Sequence, residues 1–144
     1  MKRHEALIPL SREHHGALLL AQVLKSDVPD YKGMPTLPAE KAAYAFEAFN
    51  NTLQPHFNKE EMLMQKVMHL NERLDILVAE ILREHIELTE AFQSLNQSQN
   101  LERSLHMLGE KLSEHIRKEE RILFPLIEES CTAAMLNELK YLHQ

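Results

Sequence analysis

Cysteine, glycine and aromatic residues are scarce in this chain of 144 residues, and each scarcity closes off a class of structure. Cys131 is the only cysteine, so the chain can form no internal disulfide and no thiolate cage for zinc or an iron–sulfur cluster. Three glycines and 6% aromatic residues, beside abundant Leu, Glu, Ala and Lys, favour helix over sheet. Long hydrophobic runs are missing as well. The longest, GALLLAQVL, falls far short of the roughly 20 residues that a membrane span needs. The opening residues MKRHEALIPL are basic, but their apolar run is short and is broken by Pro9, which makes a poor secretory signal; the cytoplasm is the expected compartment. Positive charge is in the minority, and a formal charge of −6 argues against a nucleic-acid-binding face. The remaining composition, 44% hydrophobic and 26% charged, is that of a soluble globular protein, expected as a single domain over residues 1–144 with a core that needs no covalent staple.

Helical periodicity is present in four places. A first helix is expected from Ser11, read as its N-cap, to about Lys25, with Leu7, Leu10, Leu18, Ala21 and Leu24 on one stripe and His14 in line. The segment SDVPDYKGMPTLP then holds three of the six prolines and reads as a loop. A second helix runs from about Ala39 to about Met68, with a kink or short break where Pro55 interrupts it. A third, from about Asn71 to Leu95, aligns Leu74, Leu77, Val78, Ile81, Leu82, His85, Leu88 and Phe92. The fourth, from about Leu101 to Glu128, aligns Leu105, Leu108, Leu112, His115, Glu119, Ile122 and Leu126, and Pro125 bends or ends its last turns. A short terminal helix follows at about 133–142. This pattern predicts an all-α fold, an up-down-up-down four-helix bundle with a short C-terminal helix.

The chain repeats itself. HFNKEEMLMQ at His56 returns as HIRKEERILF at His115, and LSREHHGALLL in the first helix resembles ILREHIELTEAF in the third. Aligned, His14 falls on His85, His56 on His115 and Glu60 on Glu119. Residues four apart share a helix face, so His56 pairs with Glu60 and His115 with Glu119, while Glu61 and Glu120 are turned about 100° away. One His on a helical stripe is ordinarily a hydrogen-bonded core residue, and one His/Glu pair is ordinarily a solvated surface pair. Here each of the four helices aims an ionisable group at the apolar stripe. Burying them unpaired would cost on the order of several kcal/mol, and a metal centre relieves that cost. Imidazole and carboxylate without thiolate suit iron, manganese or zinc. Six candidate ligands, His14, His56, Glu60, His85, His115 and Glu119, exceed what a tetrahedral zinc uses, and two carboxylates are available to bridge a pair of ions. No Glu-x-x-His and no His-Glu-x-x-His occurs, which excludes a ferritin-like site and a zincin protease.

These segments, PLSREHH, PHFNKEE, LREH and above all HIRKEERILFPLIE, make the chain resemble the bacterial hemerythrin-like (HHE cation-binding) family over nearly its whole length. The resemblance implies a four-helix bundle around a non-haem di-iron centre, oxo- or hydroxo-bridged, with zinc or manganese ranked behind iron. By position, His14, His56, His85 and His115 would be terminal ligands, and Glu60 and Glu119 would bridge the irons. Two departures stand out. Oxygen-carrying hemerythrins have a fifth histidine in a His-x-x-x-His pair where this chain has Thr89, and an aspartate five residues after the last histidine where this chain has Glu119 at four and Glu120 at five. A missing imidazole would leave an extra open coordination position, or one taken by water or a nearby side chain; an open position favours binding or reaction of a small molecule (O2, NO or peroxide) over reversible oxygen carriage.

Three functions follow as expectations: a di-iron protein for such small molecules; iron storage, delivery or cluster repair; and a helical interaction module with structural metal or none. No nucleophile or general base stands out. His14 and His15 are adjacent and cannot face the same way; the stripe and the alignment with His85 both favour His14. The second ring nitrogens of the histidines need partners, for which Glu13 and Glu84 are candidates. His4, His69, His106 and His143 show no partner at ligand spacing and read as surface residues. Met62, Met64 and Met68 read as core filling, and Cys131 as a packed or incidental thiol. The exposed helix faces leave dimerisation open.

Overall fold

The computed structural model describes residues 2–143, the side chain of His143 excepted. Among these residues every regular element is helical: α1 (Ile8–Leu24), α2 (Pro38–Ala48), α3 (Gln54–Val67), α4 (Glu72–Gln93), α5 (Leu101–Lys118), α6 (Phe124–Ser130) and α7 (Ala133–Leu139). They pack as a helical bundle in which α1 lies most extensively on α5, α4 lies against α3 and α5, and α1 also touches α2 and α3. No described helix is long and apolar enough to cross a membrane.

Side-chain caps open α4, α5 and α7. Asn71 accepts from the backbone N–H of Leu74, Asn100 from Arg103 and Thr132 from Met135, each satisfying a donor that the first turn leaves free. The first helix differs from expectation. It begins at Ile8 rather than after Ser11, with Pro9 in its first turn, where a missing N–H costs nothing and φ is already helical. At its other end the buried Lys41 donates to the carbonyl of Lys25, placing a cation at the helix C-terminus.

The two internal prolines act alike, and neither ends a helix. A π turn, Phe49–Leu53, joins α2 to α3 just before Pro55, and a second, Glu119–Leu123, joins α5 to α6 just before Pro125. In each, the residue before the proline donates to the carbonyl five back, Gln54 to Phe49 and Phe124 to Glu119. A proline ring clashes with the carbonyl four residues earlier in an α-helix; widening the turn moves that carbonyl aside and lets the rod continue. The extra residue also shifts the buried face. Leu123, Phe124, Leu126 and Ile127 point inward, and Ile122, expected on the stripe, is 46% exposed.

Two apolar clusters form the core. One gathers Leu7 and Leu10 with Leu63, Val67, Leu74, Ile81, Leu123, Phe124 and Ile127, closed by Leu136 and Leu139 of α7. The other gathers Ala17, Leu20 and Leu24 with Phe49, Phe57, Leu88, Phe92, Leu105, Leu112 and Ile116. Between them in every long helix lie buried ionisable residues: His14, His56 and Glu60, His85, and His115 and Glu119. Of the three methionines after His56, Met64 is core, while Met62 and Met68 are about half exposed.

Gly109, in mid-helix, marks a close approach of α5 to α1. A Cβ there would stand 2.6 Å from the carbonyl oxygen of Ala21 and 3.3 Å from the Cβ of Leu24. Alanine would gain about 1 kcal/mol of helix propensity, but a backbone oxygen at that distance cannot yield without separating the helices, and overpacking of this kind costs about 1–3 kcal/mol. Gly109→Ala is expected to lower Tm by several degrees; an unchanged or raised Tm in thermal unfolding would show that the α1–α5 contact is softer than its geometry.

Candidate metal centre

Six side chains converge in the layer between the two apolar clusters, all of them almost fully buried. His14 comes from α1, His56 and Glu60 from α3, His85 from α4, His115 from α5, and Glu119 from the start of the second π turn. They form two overlapping groups. His14 and His56 meet Glu60 and Glu119 on one side; His85 and His115 meet the same two carboxylates on the other, with ligand-type atoms in each group within 4.8 Å of one another. Glu60 Oε2 lies 3.1 Å from His14 Nε2 and 3.0 Å from His56 Nε2, while its Oε1 lies 3.1 Å from His85 Nε2. Glu119 divides its oxygens in the same way: Oε1 is 3.1 Å from His14 Nε2, and Oε2 is 3.3 Å from His115 Nε2 and 3.5 Å from His85 Nε2.

The inward-facing atoms fit a cation better than they fit one another. The Nε2 atoms of His56, His85 and His115, and three of the four oxygens of Glu60 and Glu119, make no hydrogen bond although they are shut off from water. Orphaned lone pairs at this density are costly unless a positive charge sits among them.

Comparison with protein families matches the model described as hemerythrin HHE cation binding domain to residues 6–127, and again, overlapping, to 76–144. The chain belongs to the hemerythrin HHE cation-binding family. The second match covers the half in which the ligand pattern returns. Comparison with curated proteins and with solved structures gives no match. Family and geometry together make this a metal-binding protein of the hemerythrin type.

In this hemerythrin-like site the other ring nitrogen of every histidine has a carboxylate. His14 Nδ1 pairs with Glu120 at 2.6 Å, His56 Nδ1 with Glu13 at 2.8 Å, His85 Nδ1 with Glu61 at 2.9 Å and His115 Nδ1 with Glu84 at 2.7 Å. An ionised carboxylate only accepts, so each Nδ1 carries the proton and donates it, and Nε2 is the nitrogen turned inward. Glu13 and Glu84 do serve histidines, as the sequence proposes, but across the bundle rather than in the neighbouring turn: Glu13 of α1 reaches α3, and Glu84 of α4 reaches α5. Two lysines secure them, Lys59 on Glu13 at 2.8 Å and Lys118 on Glu84 at 2.7 Å. The repeated Lys-Glu-Glu therefore has a task for each member: the first Glu faces both histidine pairs, the second orients a histidine on another helix, and the lysine steadies a third carboxylate. The recurrence of the whole triplet was the signal for Glu61 and Glu120, which their position off the apolar stripe conceals.

The structure separates the adjacent histidines, burying His14 and exposing His15. Thr89, four residues after His85, donates its hydroxyl to the carbonyl of His85 at 2.7 Å. An aromatic ring seals the layer from each core: Phe57 stacks on His85 at 4.0 Å and Phe124 on His14 at 5.4 Å between centroids. Two surface expectations need correction. His106 is only 22% exposed and has a helical partner, Glu110, at 3.2 Å, and its Nδ1 accepts from the backbone of Ser26. His4 is half-buried, with its Nδ1 accepting from Ala6. His69 is exposed as expected, and the side chain of His143 lies outside the described residues. Burial pushes the Cys131 thiol up, away from the reactive thiolate.

Charge couples the layer to pH. Burial opposes protonation of His14 and His85, but for His14 the carboxylates Glu119, Glu120 and Glu60, and for His85 Glu119, Glu60 and Glu61, outweigh it and raise both to about 11. His115 rises to about 9 by the same contest with Glu119 and Glu84, and His56 rises with Glu60 and Glu13. Burial also opposes ionisation of Glu60, yet the imidazoles hold its carboxyl well below the usual range. Protonated imidazoles thus stabilise the metal-free fold fully below their unfolded pKa of about 6.5, and this contribution is lost as pH rises through about 9 and then about 11. A cation entering among the Nε2 atoms must displace these protons. Metal uptake at about pH 7 should therefore release protons, and the rise in Tm on adding metal should grow between about pH 6 and pH 9. Thermal scans with and without Fe(II) or Zn(II) that gave the same gain across that range would contradict the assignment.

Proposed function

We propose that this protein is a non-haem di-iron protein whose paired irons are held by His14, His56, His85 and His115 through Nε2, with Glu60 and Glu119 shared between them, and that it binds O2 or NO or reacts with peroxide. The observation that carries the reading is the division of each buried carboxylate between the two histidine pairs, one oxygen toward each for Glu119 and the same sharing for Glu60. Neutral and anionic donors without thiolate suit iron. When bound, iron would supply the redox and Lewis-acid chemistry toward a small molecule. The residues of the chain orient the donors through four Nδ1–carboxylate bonds and exclude water with Phe57 and Phe124. With four imidazoles rather than five, and Thr89 turned to the backbone, the protein side offers fewer nitrogen donors than an oxygen carrier, which favours reaction or sensing over carriage.

The same reading places the long helices up-down-up-down. Its support is the order in which the chain visits the two apolar clusters: α1 passes from Leu10 to Leu24, α2 and α3 from Phe49 to Val67, α4 from Leu74 to Phe92, and α5 and α6 from Leu105 to Ile127, alternately toward and away from α7.

A second reading, iron storage or delivery, draws on Glu61. Its side chain is 44% exposed and bonded to the buried His85, which connects the layer to solvent on one side. Metal content and an optical spectrum, recorded on protein purified without a metal-affinity tag before and after exposure to O2 and NO, separate the two. Two irons per chain with near-ultraviolet bands that respond to gas support the first reading, and two irons with no response but ready transfer to an acceptor support the second. The double variant Glu60→Ala/Glu119→Ala should lose both irons; retention of iron by that variant, or one zinc and no iron in the native chain, would defeat the di-iron reading.

A further inference from the structure

The two halves of the layer match in their donors but differ in how those donors are held. On the side of His14, Arg3 reaches in from the segment before α1. Its guanidinium donates to Glu120 Oε2 at 3.0 Å, to the carbonyl oxygen of Glu120 at 2.7 Å and to Glu128 Oε1 at 2.8 Å, and it lies 5.5 Å from the centroid of Phe124. Glu120 is the carboxylate on His14 Nδ1, and Phe124 is the ring stacked on His14. One side chain thus touches both groups that fix this imidazole, and it also grips the backbone of the π turn that carries Glu119. His56, the other imidazole on that side, has Glu13 secured by Lys59. Across the layer, His115 has Glu84 secured by Lys118. The carboxylate on His85 is the exception: among the described residues no cation pairs with Glu61, and at 44% its side chain is the most exposed of the four, against 33% for Glu13, 28% for Glu120 and 22% for Glu84.

We propose that the two half-sites exchange metal at unequal rates, with Arg3 acting as a latch on the His14/His56 half and the His85/His115 half, closed by Glu61, exchanging first. The inference rests on the reading that the six residues hold two ions. For an ion to leave, an imidazole must swing away from it. Freeing His14 means breaking a carboxylate bond and a ring stack that share one guanidinium, whose planar fork holds two acceptors at once. Freeing His85 means displacing a half-exposed carboxylate for which water can substitute. Stacking alone would give the reverse order, since Phe57 lies closer to His85 than Phe124 does to His14; the cations on the outer carboxylates decide it. Arg3 and Glu61 are positioning residues, and neither reaches the ion. Partners at this remove typically change metal affinity by about 10–100-fold.

The test is the release of iron from the Fe(II)-loaded full chain, under anaerobic conditions, to an excess of a coloured ferrous chelator. Wild type should release its two ions in two phases of equal amplitude. Arg3→Ala should speed the slow phase about tenfold and leave the fast phase alone, and Glu61→Ala should speed only the fast phase. His14→Ala should abolish the slow phase and His85→Ala the fast one, which assigns each phase to its half-site. Arg3 is half-buried and Glu61 half-exposed, and neither belongs to an apolar cluster, so circular dichroism should find both variants folded as wild type. Two ions leaving wild type in a single phase, or Arg3→Ala changing both phases alike or neither, would overturn the latch and leave the two-metal reading intact. A wild-type chain that takes up fewer than two ions would overturn both.

Discussion

Two carboxylates and four imidazoles meet where water does not reach them, and the rest of the bundle is arranged around that fact. Such a layer survives only if something positive enters it. In the metal-free chain protons fill that role, which is why the histidines become so basic; in the loaded chain the cation takes it over. The surroundings favour a cation further. With neutral imidazoles, the carboxylates Glu13, Glu60, Glu61, Glu84, Glu119 and Glu120 outnumber Lys59, Lys118 and Arg3 beside them, so the layer carries excess negative charge even after its ion pairs are made. Each outer carboxylate also sets the tautomer of one histidine, so the polarity of the site is prepared before any ion arrives.

Four of the inner six residues were legible in the sequence through four-residue spacing along a helix, which pairs His56 with Glu60 and His115 with Glu119; His14 and His85 were legible because each stands on an apolar stripe in one of two segments that resemble each other. His14 could be chosen over His15 on the same ground, since the stripe through Leu7 and Leu10 carries only one of them inward. What the sequence concealed obeys other rules. Glu61 and Glu120 lie off the apolar stripe and act on histidines of other helices, so no spacing within their own helix reveals their partners. The π turns were readable only as disturbances at Pro55 and Pro125, because a proline states that the α-helical hydrogen bond is lost but not how the backbone recovers. From that gap came the misplacement of Ile122: a stripe drawn at constant α-helical period cannot anticipate the extra residue that turns Leu123 and Phe124 inward instead. Ser11 as an N-cap was a local preference, displaced by Pro9, whose ring suits a first turn and draws the helix start earlier.

The internal repeat is a symmetry of donors, not of backbone. His56 and Glu60 lie just after their π turn, in regular α-helix, whereas Glu119 opens its own π turn and His115 precedes it. The sealing rings follow the same division. Phe57 sits next to His56 in sequence, while Phe124 lies beyond the second π turn from His115, yet each lies flat against an imidazole of the other pair, Phe57 on His85 and Phe124 on His14. The repeated sequence thus keeps the same donors at its centre while the two rods that deliver them carry their π turns at different points. Differences between the halves therefore arise in the supporting contacts rather than in the atoms that face inward.

The polar layer also divides the bundle mechanically. Hydrocarbon packing is continuous within each of the two apolar clusters and interrupted between them, although α1, α3 and α4 contribute to both. Cooperativity in a small bundle travels through packed side chains, and a plane of charge is where it weakens. The two ends of this molecule are therefore expected to open locally as separate units, one closed by α7 and the other by the α2 end, joined by whatever occupies the plane between them. An ion there would be more than a cofactor: it would be the rivet that lets two half-cores melt as one.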